Sequence, residues 1–364
     1  MDRNFLKKSL SGLLNAVLPV MFAFLLGGVV ILLIHENPLE VYKILLLKSF
    51  FTPVGLQNTL HYAGPMILTG LAIAVCFKAN LYNMGVEGSL IISAFASGIV
   101  GASLPIESGI LLKSVCILVG IAFAVLYSMS IAYLKIRFRA DEMVVSMMLN
   151  YALAKAIEYL ATNVFRDTGN GYVCTPIIQD QAMYTRIFGR SRLTAFIFII
   201  LLALLVLWIV MKKSKLGYEI KAMGKSFEFA EAMGMRVGRK ICILFILSGA
   251  LAGLAGAGWM MEDQYRYTLD FSGSPGLGWD GMLIALMGGH DPLGIGIAAI
   301  FYAGLKIGAD NINMYSSVPK EIVSLMQGMI VLFLSVKFIC EKKQSFQLWN
   351  RLFKKKAGLE LCKS

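Results

Sequence analysis

Polar residues interrupt a strongly apolar sequence at positions 80–90, NLYNMGVEGSL, a stretch that contains Asn83, Gly85, Glu87 and Gly88. Asn83 can cap a helix that starts near Met84, and glycines let a neighbouring backbone approach closely. A carboxylate in lipid costs about 2.5–3.5 kcal/mol on insertion scales. Two interpretations of Glu87 therefore stay open: it lies beside a solute path, or it lies near the cytosolic surface at a helix N-terminus and bonds to another span.

A second polar set lies at helical spacing. Glu142, Ser146 and Asn150 follow one another at every fourth position, so they share one helix face. Tyr151 is adjacent to this face, and Gln327 occupies a comparable place later in the chain. Polar side chains on an apolar helix either bond to a neighbouring helix or face a translocation path. We predict that such a path is lined by Asn83, Glu87, Glu142, Ser146, Asn150, Tyr151 and Gln327.

The triplet at 224–226 invites a phosphate-loop interpretation, because glycine, lysine and serine follow one another there. A phosphate loop also needs a glycine five positions earlier, where Glu219 stands, and a strand in front of it. The histidines are scattered, and the cysteines have no metal-ligand spacing. The sequence therefore predicts no ATP site, no metal, no cofactor and no catalytic residue, and we expect a chain that is not itself an enzyme.

Composition indicates which elements must position these residues. The chain is 57% hydrophobic and 15% charged, whereas soluble domains average about 45–50% and about 25%. Roughly 20 apolar residues suffice to cross a bilayer as a helix. We predict an all-α polytopic membrane protein of about ten transmembrane helices, at 18–34, 55–77, 86–104, 109–134, 142–161, 193–211, 241–260, 281–289, 293–309 and 321–338. The eighth is too short to cross as a straight helix, which predicts a broken or re-entrant segment.

Basic residues determine the predicted orientation. The net charge is +12, and most Lys and Arg residues flank apolar stretches, a pattern that places loops in the cytosol and does not indicate nucleic-acid binding. The first apolar stretch lacks a small-residue cleavage site before His35, so we expect it to be retained. We predict both termini in the cytosol and a single transmembrane domain over 1–364, with a leader at 1–17, a helical core at 18–338 and a basic tail at 339–364.

Two parts of the sequence show a faint likeness. EMVVSMM at 142–148 is similar to EIVSLMQ at 321–327, and each follows a short polar stretch, at 80–88 and at 288–294. Transporters are often built from repeats with broken helices in matching places. We predict two pseudo-repeated halves, with chance similarity between apolar helices as the alternative.

Two loops are long enough to hold structure of their own. The loop at 162–192 is expected outside the cytosol, ordered only if something packs on it. The loop at 212–240 is expected in the cytosol, where Ser226 can cap a helix of about two turns that ends at Gly234. Its apolar face would consist of residues that recur every three positions, Phe227, Ala230 and Met233. This short helix either lies on the membrane or is gripped by a soluble partner.

Several of these motifs resemble one family. NMGVEG at 83–88 is similar to the N-x-G-x-E-G signature of bacterial ABC-transporter inner-membrane permeases of the ribose and branched-chain amino acid type. The cytosolic loop is similar to that family's G-x-x-x-x-A-x-G-x-N-x-x-A-A-x-x-x-G pattern at Gly217, Ala222, Gly224, Ala230 and Gly234. It departs from the pattern at Ser226 and Phe229, where asparagine and alanine are usual. Further likeness at 248–257, 278–294 and 327–328 extends the resemblance over residues 55–338.

The resemblance implies a ten-helix core and a cytosolic coupling helix at 226–234 that contacts a separate ABC ATPase. Coupling is then expected at Gly217, Ala222, Gly224, Ser226, Phe227, Ala230 and Gly234. Other implied partners are membrane lipid, a second homologous permease subunit or a second copy, and an extracytoplasmic substrate-binding lipoprotein, all at the bacterial inner membrane. MVVSMMLNY at 143–151 is similar to the subgroup that works with basic-membrane-protein lipoproteins on nucleosides, so nucleosides are the expected small polar solute.

Other solutes and energy sources stay open at this point. Simple sugars of the ribose or galactose type also suit a path with modest hydrogen-bonding groups. An ion-coupled secondary transporter would need buried acidic residues within its spans, and Glu87 and Glu142 are the candidates, both expected near the cytosolic edge. A membrane enzyme would need a nucleophile, a metal cluster or paired carboxylates, which the sequence does not supply.

Overall fold

A computed structural model describes residues 21, 24–33, 35–169, 171–189, 191–269, 276–315, 321–325 and 328–329. Its helices are α1 Phe24–Leu33, α2 Pro38–Leu46, α3 Pro53–Phe77, α4 Val86–Ser103, α5 Gly109–Phe138, α6 Glu142–Asn163, α7 Phe196–Lys213, α8 Lys215–Met223, α9 Phe227–Ala232, α10 Val237–Trp259, α11 Leu277–Met287 and α12 Pro292–Tyr315. A π-type turn at Leu47–Phe51 precedes α3, and another at Met260–Gln264 extends α10. The predicted all-helical class is confirmed for these residues.

Six of the described helices are long and apolar enough to cross a membrane: α3, α4, α5, α7, α10 with its π turn, and α12. This confirms a multi-pass membrane protein. Helix α6 forms at the predicted place but is not among these six, and α11 has 11 residues, which at about 1.5 Å per residue is too short for a bilayer core of about 30 Å. Most of the predicted span 321–338 lies outside the described residues, so the ten-helix count stays a prediction.

Helix α3 lies at the centre of the packing, while α5 and α7 expose apolar faces. Every residue of α3 from Ala63 to Cys76 is buried. By contrast, Leu126 of α5 is 67% exposed and Phe198 of α7 is 66% exposed, although both helices are strongly apolar. Exposed apolar faces of this kind suit contact with lipid, because a bilayer solvates them as well as a protein core does.

Small residues bring α10 against α4 and α5. A Cβ at Gly256 would lie 2.2 Å from the carbonyl oxygen of Leu90 in α4, so no larger residue fits at that crossing. The hydroxyl of Ser93 donates a 2.6 Å hydrogen bond to the carbonyl of Gly253, which ties the same two helices together. The stretch 248–258 therefore serves close helix packing, as its composition predicts.

The long loop between α6 and α7 packs against the chain that follows α10. Backbone amides of the loop donate to carbonyls there, at 3.0 Å for Thr175 to Tyr267, 2.9 Å for Ile178 to Tyr265 and 3.1 Å for Tyr184 to Met261. Cys174 and Thr268 also form an isolated antiparallel β-bridge. Backbone polar groups of an ordered loop need such partners, so the expectation that this loop requires something packed on it is confirmed.

Two compact units divide the chain: Leu46–Ile307 is one, and Met1–Leu45 with Gly308–Ser364 is the other. Within the second unit, the hydroxyl of Tyr42 donates to the backbone carbonyl of Phe24, and their ring centroids are 5.2 Å apart. This contact packs α1 against α2. The candidate site described below lies entirely within Leu46–Ile307, and the predicted pair of repeated halves stays a prediction.

Candidate functional site

Asn150, on the facing helix α6, forms hydrogen bonds with the start of α4. Its amide oxygen accepts hydrogen bonds from the backbone N–H of Gly88 at 3.1 Å and from the hydroxyl of Tyr127 at 2.7 Å. Its amide nitrogen donates to the carbonyl of Met84 at 2.8 Å. The first N–H groups of a helix have no partner within the helix, so Asn150 acts as a cap supplied by another helix. A Cβ at Gly88 would lie 2.4 Å from the Asn150 amide oxygen, which explains glycine there.

Ser146 and Glu142 continue the same arrangement along α6. The Ser146 hydroxyl accepts from the N–H of Met84 at 3.2 Å, and one Glu142 oxygen accepts from the N–H of Tyr82 at 3.2 Å. The other Glu142 oxygen pairs with Lys135. The predicted shared face of α6 is therefore real, and each of its polar residues binds backbone of the α3–α4 connection, residues 78–85. Whether these residues also line a path stays a prediction.

Asn83 ties the α3–α4 connection to α10. Its amide oxygen accepts from the N–H of Gly85 at 3.0 Å, and its amide nitrogen donates to the Ser248 hydroxyl at 3.0 Å. The helix starts near Met84 as predicted, but the prediction that Asn83 caps it is wrong. Helix α4 begins at Val86, with Gly85 at the N-cap position, because the N–H and carbonyl of Met84 are already bound by α6.

Glu87 binds backbone N–H groups at the N-terminus of α11. One carboxylate oxygen accepts from the N–H of Gly276 at 2.9 Å, and the other accepts from the N–H of Gly278. The side chain is buried, and Gly276 has a φ of +75°, which favours glycine. A carboxylate at a helix N-terminus is stabilised by unpaired N–H groups and by the helix dipole. The structure thus contains the predicted bond from Glu87 to another helix at a helix N-terminus.

The remaining candidates for the path are placed differently. Tyr151 is 71% exposed and lies off the face that Asn150 occupies. Gln327 lies outside the described residues. Both stay predictions as path-lining residues.

The predicted helix on the long α7–α10 loop is confirmed. The Ser226 hydroxyl accepts from the N–H of Phe229 at 3.1 Å and caps α9. Gly234 ends the helix with a φ of +81°, and the N–H of Met235 donates to the carbonyl of Ala230 at 3.1 Å. This is the arrangement in which a left-handed glycine closes a helix C-terminus. Ser214 caps the preceding helix α8 in the same way, through the N–H of Gly217 at 3.2 Å.

The apolar face predicted for α9 divides into an inner and an outer part. Ala230 is fully buried, and Phe227 packs partly buried against the core. Met233 is 65% exposed, so its assignment to the same face is wrong. It is the residue directly after α9, and Phe229, within the helix, is 61% exposed. The exposed apolar pair is therefore Phe229 and Met233, at the end of α9.

Several of the predicted coupling residues allow close backbone packing. A Cβ at Gly224 would lie 2.1 Å from the carbonyl oxygen of Lys78, the first residue of the α3–α4 connection. A Cβ at Gly217 would lie 2.5 Å from the carbonyl of Met211, where α7 turns into α8. Ala222 is half-buried. These residues thus hold the α8–α9 segment against the rest of the bundle.

A cleft of about 540 Å³ opens beside α9, between α8 and the start of α10. Its rim carries basic residues, Lys215, Arg236 and Arg239, together with the exposed side chains of Tyr218 and Met233. The buried carboxylate of Glu219 pairs with Lys240 inside it. This surface combines exposed apolar groups with positive charge.

Burial disfavours the charged forms of two bases at the junction of the α3–α4 connection with α11. Burial lowers the pKa of Lys78 below its usual value. Burial, and then the nearby charge of Lys78, lowers the pKa of His290. The His290 ring packs on Phe77, with ring centroids 5.5 Å apart. The connection is thus part of a densely packed junction with the end of α11.

A second buried polar cluster, missed from the sequence, lies where α10 ends. The Thr194 hydroxyl donates to Glu262 at 2.7 Å. His61 lies between two carboxylates, with Nδ1 3.8 Å from Glu262 and Nε2 3.5 Å from Asp263. Arg192 reaches Asp263 at 3.5 Å. The adjacent acidic pair at the end of an apolar span was the available signal, but its partner His61 is about two hundred residues away in sequence.

Some atoms of this cluster have no hydrogen-bond partner among the described residues: both ring nitrogens of His61 and one oxygen of Glu262. His61 is 2% exposed and Glu262 is 5% exposed. A buried polar group without a partner costs about 1–3 kcal/mol. Burial, with the charge of Glu262 added, also raises the pKa of the neighbouring Tyr184 to about 12. Within the described residues, no group of three or more His, Cys, Asp or Glu side chains is arranged to hold a metal ion.

Comparison with known proteins matches residues 55–335 to a family described as branched-chain amino acid transport system / permease component. A guanosine ABC transporter permease protein, NupP of Bacillus subtilis, is 31% identical over 91% of this chain and 95% of its own length. A nucleoside ABC transporter permease protein, NupB of Lactococcus lactis, is 28% identical over 89% and 91%. A glucose ABC transporter permease protein, TsgB13 of Haloferax volcanii, is 26% identical over 87% and 86%.

Proposed function

Because this chain belongs to the family of branched-chain amino acid transport permease components, we propose that it forms the translocation path of an ABC importer for nucleosides. The chain is a transport permease, and a separate ABC ATPase hydrolyses the ATP. Two similar relatives are named for guanosine and for nucleosides and align over nearly their whole length, which supports this solute class. Simple sugars are the second candidate, supported by the likeness to a glucose permease.

The observation that carries the mechanism is the contact of Gly224 with the Lys78 carbonyl. Gly224 lies between α8 and α9, and Lys78 begins the α3–α4 connection. Movement of α9 by an ATPase would therefore reach that connection directly, without an intervening flexible segment. We assign coupling to Gly217, Ala222, Gly224, Ser226, Phe227, Ala230 and Gly234, with the exposed Phe229 and Met233 in contact with the ATPase.

From the connection, the displacement would pass to three further helices. Asn150 binds it from α6, Asn83 binds α10, and Glu87 binds the N-terminus of α11. Rigid helices joined by buried hydrogen bonds move together, which is how a local push becomes a change of access. In this proposal the polar residues of the connection border the path, and Tyr151 and Gln327 contribute to its lining.

The remaining partners follow from the same proposal. A second permease subunit or a second copy completes the path, and a substrate-binding lipoprotein delivers the solute to the α6–α7 loop, which is packed against residues 261–268. The protein lies in a bacterial inner membrane with both termini in the cytosol. The basic residues after α7 and before α10 support that orientation.

Reconstitution tests the proposal. We expect proteoliposomes with this chain, its permease partner, the ATPase and the binding protein to accumulate labelled guanosine only when ATP is hydrolysed, and an ATPase variant without its catalytic glutamate to abolish uptake. Accumulation driven by an ion gradient through this chain alone would show a secondary transporter instead. Uptake of glucose or ribose in place of guanosine would favour the sugar alternative.

A further inference from the structure

The polar cluster at the end of α10 is a buried group of charged side chains that the mechanism above does not use. It joins α3 and α10, and it consists of His61, Tyr62, Thr194, Trp259, Glu262 and Asp263, here named the His61–Glu262 cluster. Both helices are among the six apolar spans, and the cluster lies where α10 ends, where Arg192 also pairs with Asp263.

The hydrogen bonds inside the cluster are incomplete. Thr194 binds one oxygen of Glu262, while the other oxygen has no hydrogen-bond partner among the described residues. The His61 nitrogens face the two carboxylates at 3.8 and 3.5 Å but form no hydrogen bond with them. One buried oxygen of Glu262 can thus accept a further hydrogen bond. If the role of His61 were only to form an ion pair, we would expect its nitrogens to lie within hydrogen-bonding distance of the carboxylates.

Aromatic rings lie beside these acceptors. The Trp259 ring is 5.7 Å from the His61 ring at an interplanar angle of 30°, and Tyr62 meets Trp259 edge to face at 5.4 Å. Trp259 is 5% exposed. Ring faces next to a carboxylate are suited to a flat ligand, because a ring can stack while its N–H or O–H groups bind the carboxylate.

We propose that the His61–Glu262 cluster is a solute-contact site of the path and binds a nucleoside through two adjacent hydrogen-bond donors. Glu262 accepts the donor pair, the Thr194 hydroxyl holds that carboxylate through a hydrogen bond of 2.7 Å, and Trp259 stacks on the flat ring. The donor pair comes from the base, as in the N1–H and amino group of guanine, or from the ribose diol. This inference rests on the proposed nucleoside transport and adds the residues that recognise the solute.

The cluster is closed from the surface in this structure, since its central side chains are almost fully buried. A solute therefore reaches it when the ends of α3 and α10 separate, in a state of the transport cycle with different access. The unfilled acceptors lower the stability of the closed arrangement and are filled by the solute in the open one. Binding is then coupled to the change of access.

Trp259 provides a direct reporter of occupancy. The full-length chain carries tryptophan at four positions, and the reporter variant replaces the other three by phenylalanine: Trp208→Phe, Trp279→Phe and Trp349→Phe. In lipid nanodiscs with the permease partner and the ATPase, we expect guanosine to change Trp259 fluorescence saturably. Inosine lacks the amino group, so it should bind more weakly than guanosine if Glu262 binds the base. Ribose alone should bind if Glu262 binds the ribose diol.

A substitution with a matched control tests the role of the carboxylate. Glu262→Gln should weaken guanosine binding about tenfold or more, because an amide offers one acceptor oxygen where a carboxylate offers two. Glu219→Gln is the control, since Glu219 is another buried carboxylate and pairs with Lys240 at the opposite end of α10, about 30 Å away. It should leave the fluorescence titration unchanged.

The outcomes separate this inference from the proposed function. If none of the three ligands changes Trp259 fluorescence, or if Glu262→Gln and Glu219→Gln bind guanosine equally, the site assignment is overturned even where ATP-driven uptake persists. If Glu262→Gln does not fold, the titration of the unaltered cluster in the reporter variant still decides. If Trp259 responds to guanosine but the complex shows no ATP-driven guanosine uptake, the proposed ATP-driven transport is overturned and the binding site is not.

Discussion

Gly224 approaches the carbonyl oxygen of Lys78 so closely that a Cβ at position 224 would lie 2.1 Å from it. The contact joins the segment that carries α9 to the start of the α3–α4 connection. That connection is bound to α6 and α10 by buried side chains, and Glu87, at the start of α4, binds the N-terminus of α11. Gly224 thus links the surface proposed for ATPase contact to the junction that we propose moves.

Gly224→Ala tests this contact. The added methyl group must push α8 away from Lys78, since backbone atoms cannot yield as a flexible side chain can. We expect normal insertion into the membrane but loss of most nucleoside-stimulated ATPase activity in the reconstituted complex. Gly171→Ala is the matched control, because a Cβ there meets nothing within 4 Å. Equal ATPase stimulation in both variants would contradict direct coupling through Lys78.

Phe229→Ala and Met233→Ala test the surface of α9. Both side chains are more than half exposed, so their removal should change the unfolding free energy by no more than about 0.5 kcal/mol. We expect the affinity for the ATPase to fall about tenfold or more in the double variant, measured by co-purification and surface binding. Met314→Ala, at another exposed methionine, should bind the ATPase normally. Unchanged affinity in the double variant would remove Phe229 and Met233 from the interface.

Asn150→Leu tests the cap that α6 supplies to α4. The substitution leaves the N–H of Gly88 and the carbonyl of Met84 without their partner, at about 1–3 kcal/mol for each buried group. We expect a lower midpoint of thermal unfolding in detergent. Tyr151→Leu, at the adjacent exposed position, should leave the midpoint nearly unchanged. Similar midpoints in the two variants would show that the Asn150 bonds contribute little.

Glu87→Gln tests the junction with α11. The carboxylate accepts from two N–H groups, whereas an amide offers one oxygen and places its own N–H₂ against the second donor. We expect a loss of about 1.5–3 kcal/mol of stability, in the range for hydrogen bonds to charged groups, together with slower uptake. Chemical unfolding and transport rates measure both effects. Full stability in Glu87→Gln would contradict capping by the carboxylate.

The pH dependence of stability tests the environment of His290. Its pKa is lowered by burial and by Lys78, so the folded state binds a proton less readily than the unfolded chain. The contribution of neutral His290 is present above the ordinary histidine pKa of 6.5 and is lost as the pH falls below it. We expect the unfolding midpoint to drop between about pH 7 and pH 5, and His290→Gln to reduce that drop. An equal drop in both proteins would assign it to other groups.

Local patterns in the sequence predict much of this structure. The spacing of Glu142, Ser146 and Asn150 predicts their shared face, and Ser226 with Gly234 predicts both ends of α9. These features depend on residues within a few positions of one another, where helix geometry decides the outcome.

Features that depend on distant segments were not predictable in the same way. Met233 lies beyond the last turn of α9, so its helical spacing from Phe227 did not decide its burial. The start of α4 depends on bonds from α6 to Met84, more than sixty residues away. His61 and Glu262 meet across an even larger separation, and neither has a polar motif around it that indicates the other.

Cross-linking from position 229 tests the central claim most directly. A photo-reactive amino acid placed at Phe229, in otherwise intact membranes, should trap a soluble ATP-hydrolysing protein, while the same group at Tyr172, in the α6–α7 loop, should not. Trapping at 229 that stops ATP-driven guanosine uptake is the result we predict. Repeated failure to trap an ATPase at position 229, with uptake intact, would contradict the claim that the ATPase drives transport by moving α9.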